Sequence, residues 1–376
     1  MGITRIANVT GLDSIGVPVV MVCRPNSRSV AVSQGKGIDL AAARASGVME
    51  SIEVYHGEHI TLPLRFASHV QLRYTHPIAD LAGLPRTADS LFHPHRLLLW
   101  MEGHDLLGSG PRWVPYETVS TNYTVPRPPG SGCFGATSNG LAAGNHLLEA
   151  VSHGVCEVIE RDATTLWSLL GESDQRRTRI DLATVDDPDC REVLGRYAEA
   201  AVETAVWETT TDIGVPSFLC QIADRSPNPL RPLYPAAGTG CHPTREVALL
   251  RALTEAAQSR LTFISGARDD CTRDEYECLG SPDTLREYRA MIHLDGPRRR
   301  FGDGPTFEAD TCDEDVVWLL GRLAAVGIEQ VVVVDLTKPE FRVPVARVVI
   351  PGLEGPEHRL PGYVAGPRAR RLLDRA

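Results

Sequence analysis

Six glutamates in three helical stretches are the residues of this sequence best placed to do chemistry. Glu50 and Glu53 lie three apart in LAAARASGVMESIEVYHGE, a spacing that puts two side chains on one helix face. Glu149, Glu157 and Glu160 share the longest helical stretch, with Arg161 directly after them. At about 100° per residue, Glu160 falls roughly 20° from Glu149 and Glu157 roughly 80° from it. In the third stretch, EVALLRALTEAAQSR, Arg251 and Glu255 are i,i+4 neighbours, with Gln258 close to a turn further on. The flanking residues are small or apolar and no lysine lies among Glu149, Glu157 and Glu160, so these helices are predicted to be largely buried. Carboxylates facing one another away from water repel unless cations sit between them. Magnesium suits all-oxygen ligation and commonly bridges carboxylates to substrate phosphates. Arg161 and Arg251 are the side chains that could clamp those phosphates. Taken singly, each glutamate pair also fits a solvated helix face.

The elements that must carry these residues follow from periodicity and turn chemistry. β-rich runs at 17–23 and 29–33 lead into a Gly35-Lys36-Gly37 turn, and Asp39 stands at an N-cap position before a helix from Leu40 to His56. Leu97 to Met101 reads as a buried strand, and 107–135, rich in Gly and Pro, as a loop or linker. Ser138-Asn139-Gly140 precedes the long helix, expected from Ala142 to Leu170. Strand-like runs recur at 205–208 and 216–223, a third amphipathic helix opens near Pro243, a fourth covers Asp313 to Ala325, and Glu329 to Thr337 is a buried strand. The arginine-rich tail from Gly366 to Ala376 is expected to fray. Helices and strands alternate in several blocks, which predicts a mixed α/β (α+β) fold with more than one sheet. The chain is expected to form one domain over 1–376, with approximate subregions 1–135, 136–265 and 266–376.

Composition narrows the classes of function. The 376 residues are 43% hydrophobic, 23% charged and 6% aromatic, with formal net charge −10. These values suit a large folded core and argue against a general binder of nucleic acid or anionic membrane, which would need a basic face. Lysine occurs only as Lys36 and Lys338, so 36 of the 38 basic residues are arginine. The nine cysteines are scattered with no C-x-x-C pair, which supports neither a zinc ribbon nor a disulfide framework. No signal-peptide pattern opens the chain and no apolar run nears the roughly 20 residues of a membrane helix, so a cytoplasmic location with reduced thiols is expected.

Other motifs carry less. Gly130-Ser-Gly132-Cys-Phe-Gly135 fits G-x-G-x-x-G but follows a proline-rich loop in place of a strand, and no acidic residue ends a second strand about 20 residues on. Lys36 lacks the glycine spacing and the Ser/Thr of a Walker A loop. His56 with His59, and His93 with His95, lack a third metal ligand and read as surface histidines. Cys156 reads as a small core residue, and no G-x-S-x-G elbow is present.

At these residues the sequence resembles the YcaO family. The likeness lies in TGLDSIGVPV, GKG with ARASGVMESIE, ATSNGLAAGNHLLEAVSHGVCEVIERDA, EVALLRALTEAAQSR and PGLEG at 351–355. It runs over nearly the whole chain, and Asn145-x-x-x-Glu149 followed by Glu157-x-x-Glu160-Arg161 is its most specific block. The resemblance implies a YcaO-like fold and an ATP site unlike a P-loop or a Rossmann crevice. It assigns magnesium to Glu50, Glu53, Glu149, Glu157, Glu160 and Glu255. It assigns the nucleotide to Ser46, Asn145, Arg161 and Arg251, with Lys36 near it by a looser match. It implies ATP-dependent activation of a peptide backbone amide through phosphorylation of the amide oxygen, and it designates no catalytic base. A substrate Cys, Ser or Thr side chain as nucleophile would give an azoline, sulfide a thioamide, and an amine an amidine.

The C-terminus GYVAGPRARRLLDRA has no Pro-x-Pro-x-Pro tail, and no long N-terminal extension precedes the matched region. Both features resemble stand-alone members that work with a TfuA-like partner, so thioamidation of a ribosomally made peptide or a protein is the expectation, with azoline-forming cyclodehydration as the alternative. A non-catalytic docking subunit and a ligase releasing AMP and pyrophosphate are further readings. A homodimer is expected from the resemblance alone.

Overall fold

The structure, a computed structural model, describes residues 1–86, 88–226, 234–355 and 362–374. Five helices carry the residues of interest: α1 (Leu40–Glu58), α2 (Leu147–Ser168), α3 (Arg245–Ser265), α4 (Cys312–Ala325) and α5 (Pro367–Leu373). Asp39 caps α1 as its position predicts, its carboxylate accepting the Ala42 N–H at 2.7 Å. At α2 it is His146 that caps, Nδ1 accepting the Leu148 N–H at 3.2 Å. Gly266, in the left-handed region at φ 60°, ends α3. The chain divides into two units, and the division runs through α1 after Ser51.

The first unit comprises Met1–Ser51, Leu170–Thr210 and Pro216–Phe307. One antiparallel sheet joins Arg5–Asn8, Val19–Cys23 and Val32–Lys36, with Val20 opposite Gly35. A second joins Ala236–Cys241, Ser217–Asp224 and Val202–Glu208 in that order. The apolar face of α3 (Ala248, Leu249, Ala252, Leu253, Ala256) packs with Phe218, Cys220 and Ile222 of this sheet. Two glycines set how closely helix and strand can meet. A Cβ on Gly35 would lie 2.1 Å from Ala43 O of α1, and one on Gly238 would lie 2.2 Å from Ala256 N of α3. Only a residue without a side chain permits these approaches. Two buried arginines pin α3 through three ion pairs: Arg245 to Glu208 at 2.6 Å, and Arg260 to Asp13 and Asp224, both at 2.9 Å.

The second unit comprises Ile52–Leu169, Thr211–Val215 and Glu308–Ala376. Its antiparallel sheet runs Arg65–Ser68, Leu97–Asp105, Val332–Asp335, Val345–Val349, Leu141–Ala143, and Gly110–Pro115 adds to Leu97–Asp105. α2 packs on the strands Val345–Val349 and Leu141–Ala143 and against α4.

The mixed α/β reading holds, with local corrections. The 107–135 stretch is not all loop: Gly110–Pro115 pairs with the neighbouring strand, where Trp113 and Val114 are buried. Residues 141–143 form a strand and α2 starts only at Leu147, because Ala142 and Ala143 pair with Ala346 and Val345. The tail does not fray over 367–373; it forms α5, and Arg368 is buried. Arg375 and Ala376 lie outside the described residues.

Candidate nucleotide and metal residues

In the first unit, close approach to glycine-bearing strands lets helix side chains reach strand amides. Glu50 of α1 accepts the Gln34 N–H at 3.0 Å, and Ser46 Oγ accepts the Lys36 N–H at 3.4 Å. Glu255 of α3 accepts both the N–H and the hydroxyl of Thr239, at 3.1 and 3.0 Å. The Lys36 ammonium, at the end of its strand, donates to the other oxygen of Glu255. Lys36, Ser46, Glu50 and Glu255 are thus tied together through adjacent backbone. Arg251 lies one turn before Glu255 on α3. Beside it His242 is held neutral: burial, aided by the charge of Arg251, pushes it down to about 4. The Thr244 N–H donates to His242 Nδ1 at 3.0 Å, which leaves the ring proton on Nε2.

The second unit repeats this construction. Glu53 accepts the Ala143 N–H at 2.8 Å. Glu149 accepts the Asn145 N–H at 2.9 Å and its side-chain amide at 3.1 Å. Gly144, between these donors, permits it, since a Cβ there would meet Ala150 N at 2.7 Å. Glu160 is 2% exposed, with Arg161 Nη2 3.6 Å from its carboxylate. Glu157, three residues earlier on α2, acts electrostatically on the buried Arg347.

These donors fit magnesium in chemistry. All six are carboxylates, the hard oxygen ligands the ion takes, and Glu50, Glu53, Glu149 and Glu255 are each oriented by a main-chain amide, the kind of outer support that fixes a metal ligand. Among the described residues no group of three or more His, Cys, Asp or Glu side chains forms a ready-made cage. Magnesium rarely uses one, because substrate phosphates and water complete its coordination.

Residues that the sequence reading set aside or missed have clear places. The G-x-G-x-x-G run does cradle an anion, and it is the chain's own: Gly132, Cys133 and Phe134 N–H groups donate to Glu117 at 2.5, 2.9 and 3.0 Å. His56 is not a surface residue. It is fully buried, Nδ1 donates to Ile52 O at 2.7 Å, and its ring meets Phe341 edge-on. His93 and His95 are exposed and stack at 5.4 Å in a turn. Cys156 is a buried core residue. Gln34, Thr239, His242 and Arg347 were not foreseen. For the first two, the glycines in GKG and GTG beside an acidic helix were the available signal; no motif marks the others.

Comparison with known proteins identifies the family of the chain. Residues 34–354 match the family described as YcaO cyclodehydratase, ATP- and Mg2+-binding. A protein of Rhizobium leguminosarum bv. trifolii, named only for its place in the tfuA 3' region, is 38% identical over 359 residues, covering 94% of this chain and 84% of its own. Among solved structures, a heterocyclase in complex with substrate and cofactor superposes with TM-score 0.77 at 22% identity over 94% of this chain, which spans half the length of that one. YcaO from Methanopyrus kandleri, bound with AMPPCP and Mg2+, gives 0.72 at 22% identity over 96% of this chain and 91% of its own. Among the described residues, no helix is long and apolar enough to cross a membrane. The chain belongs to the YcaO family, whose cofactors are ATP and Mg2+.

Proposed function

We propose that this protein uses ATP and Mg2+ to replace the oxygen of a peptide backbone amide with sulfur, working with a TfuA-type partner. The observation that carries the thioamide reading is the 38%-identical relative placed beside tfuA. The amide-anchored glutamates support the ATP and Mg2+ part of the reading. Sulfide adds to the carbonyl carbon, and the resulting oxyanion takes the γ-phosphoryl group of ATP. Phosphate then leaves with the original oxygen, so the products are thioamide, ADP and phosphate. Bound magnesium would neutralise phosphate charge. Glu50, Glu53, Glu149, Glu157, Glu160 and Glu255 are the proposed ligands, and Lys36, Ser46, Asn145, Arg161 and Arg251 the proposed nucleotide contacts. Charge neutralisation and positioning are what a protein contributes to such transfers.

The test is incubation with ATP, Mg2+, sulfide, a TfuA-like protein and the cognate peptide, read by mass spectrometry. Exchange of oxygen for sulfur is expected. Loss of one water in its place would overturn thioamidation and establish azoline formation, the second reading, which the likeness to a heterocyclase favours. Glu157→Gln should abolish ATP turnover while leaving the circular dichroism spectrum unchanged. Full turnover by that variant would remove Glu157 from the metal set, and calorimetry without any ATP binding would favour a docking subunit.

A further inference from the structure

The second unit holds a polar site that the nucleotide reading does not use. Arg347, in the strand Val345–Val349, is 3% exposed. Its Nη2 donates to Thr137 O at 2.8 Å. Among the described residues, buried Nε and Nη1 have no acceptor. Arg347 lines a cleft of about 60 Å3 that is walled largely by apolar side chains, among them Leu84, Val158 and Ile350. Asn139 lines the same cleft, and its buried Oδ1 has no donor among the described residues.

The charges around Arg347 leave it undercompensated. Glu354 also lines the cleft, but its carboxylate is committed to α5. It accepts the N–H groups of Gly366, Arg368 and Ala369 and the Tyr363 hydroxyl, at 2.8 to 3.1 Å. Glu157 and Tyr123 favour the charged guanidinium only through space, and burial outweighs them. A buried cation with unmet donors is costly unless an anion completes it. Room for only a few heavy atoms, apolar walls and one delocalised cation together suit a planar monoanion on a short hydrocarbon stem.

We propose that this cleft is a binding site for a carboxylate on a short apolar stem, with the free donors of Arg347 as its cationic contact. The carboxylate could be supplied by a free short-chain acid or by the free end of a peptide. The test titrates the full chain with propionate, and with propionamide as the uncharged isostere, by calorimetry at constant ionic strength. Propionate should bind and propionamide should not, and Arg347→Gln should weaken propionate by about tenfold or more. Competition by a short peptide with a free C-terminus, but not by its C-terminal amide, assigns the peptide source; lack of competition assigns the free acid. Should Arg347→Gln fail to fold, modification of the wild type by phenylglyoxal gives the answer, since propionate should slow adduct formation at Arg347 and propionamide should not. Absence of propionate binding, equal binding by folded Arg347→Gln, or no protection at Arg347 would overturn the proposal. None of these measurements uses ATP, so their failure would leave the nucleotide reading untouched.

Discussion

Arg368 and Asp162 form a buried pair that docks the C-terminal helix: the arginine Nε lies 3.1 and 3.0 Å from the two oxygens of the carboxylate. The same carboxylate accepts the Glu354 N–H at 2.9 Å, and Glu354 in turn caps the start of α5. The pair ties α2 to α5 through the PGLEG segment, which gives that family motif a structural role.

Removal of that arginine should be costly in a pH-dependent way. Arg368→Ala leaves Asp162 buried without its cation, a loss of about 3–5 kcal/mol at neutral pH. Burial already pushes Asp162 up to about 6, against the pull of Arg368. A carboxyl whose folded pKa is raised binds a proton that the unfolded chain has released, so its contribution to stability falls as pH rises from about 4 to about 6. Without Arg368 the pKa rises further. The stability gap between wild type and Arg368→Ala in urea should therefore be larger at pH 8 than at pH 5. An equal gap at both would show that removing Arg368 leaves the titration of Asp162 unchanged.

Lys36 and Glu255 should trade effects between metal and nucleotide. Both are part-buried, at 18% and 23% side-chain exposure, so loss of the pair should cost no more than about 1 kcal/mol of stability. Lys36→Met removes the ammonium beside a proposed magnesium ligand. Mg2+ affinity without nucleotide should then rise, while the KM for ATP should increase on the order of tenfold. Glu255→Gln should weaken Mg2+. Calorimetric Mg2+ titration and ATPase assays check both, and weaker Mg2+ binding by Lys36→Met would refute a shared site for the pair.

His242 predicts an acid-side stability loss. Its folded pKa, lowered by burial to about 4, lies below the unfolded value of about 6.5. The neutral ring therefore contributes fully above about pH 6.5, and that contribution declines as pH falls toward 4, by up to about 3 kcal/mol. His242→Gln can still accept the Thr244 N–H but cannot titrate. Its denaturation midpoint should depend less on pH between 7 and 4 than that of the wild type. Identical pH profiles would show that the imidazole titrates alike in the folded and unfolded chain and is not held neutral by burial.

The primary sequence by itself determined the helices that bear the six glutamates, because i,i+3 and i,i+4 spacing on apolar helices is local information. It also determined the family, through blocks such as Asn145 to Arg161. What only tertiary structure decided was which polar groups meet. Thr239 and Glu255 are 16 residues apart, and Ala143 and Glu53 are 90 apart; their pairing depends on strand register and on helices lying close to glycine, which no local spacing encodes. The arginine tail shows the same limit. Composition makes 366–376 look solvated, yet Arg368 reaches Asp162 across 206 residues of sequence and is buried because a buried carboxylate waits for it. Of the two lysines, Lys36 proved to be paired with Glu255. The arginine excess resolves into distinct roles: Arg245, Arg260 and Arg368 hold the fold through buried ion pairs, whereas Arg347 is buried without an ion pair among the described residues.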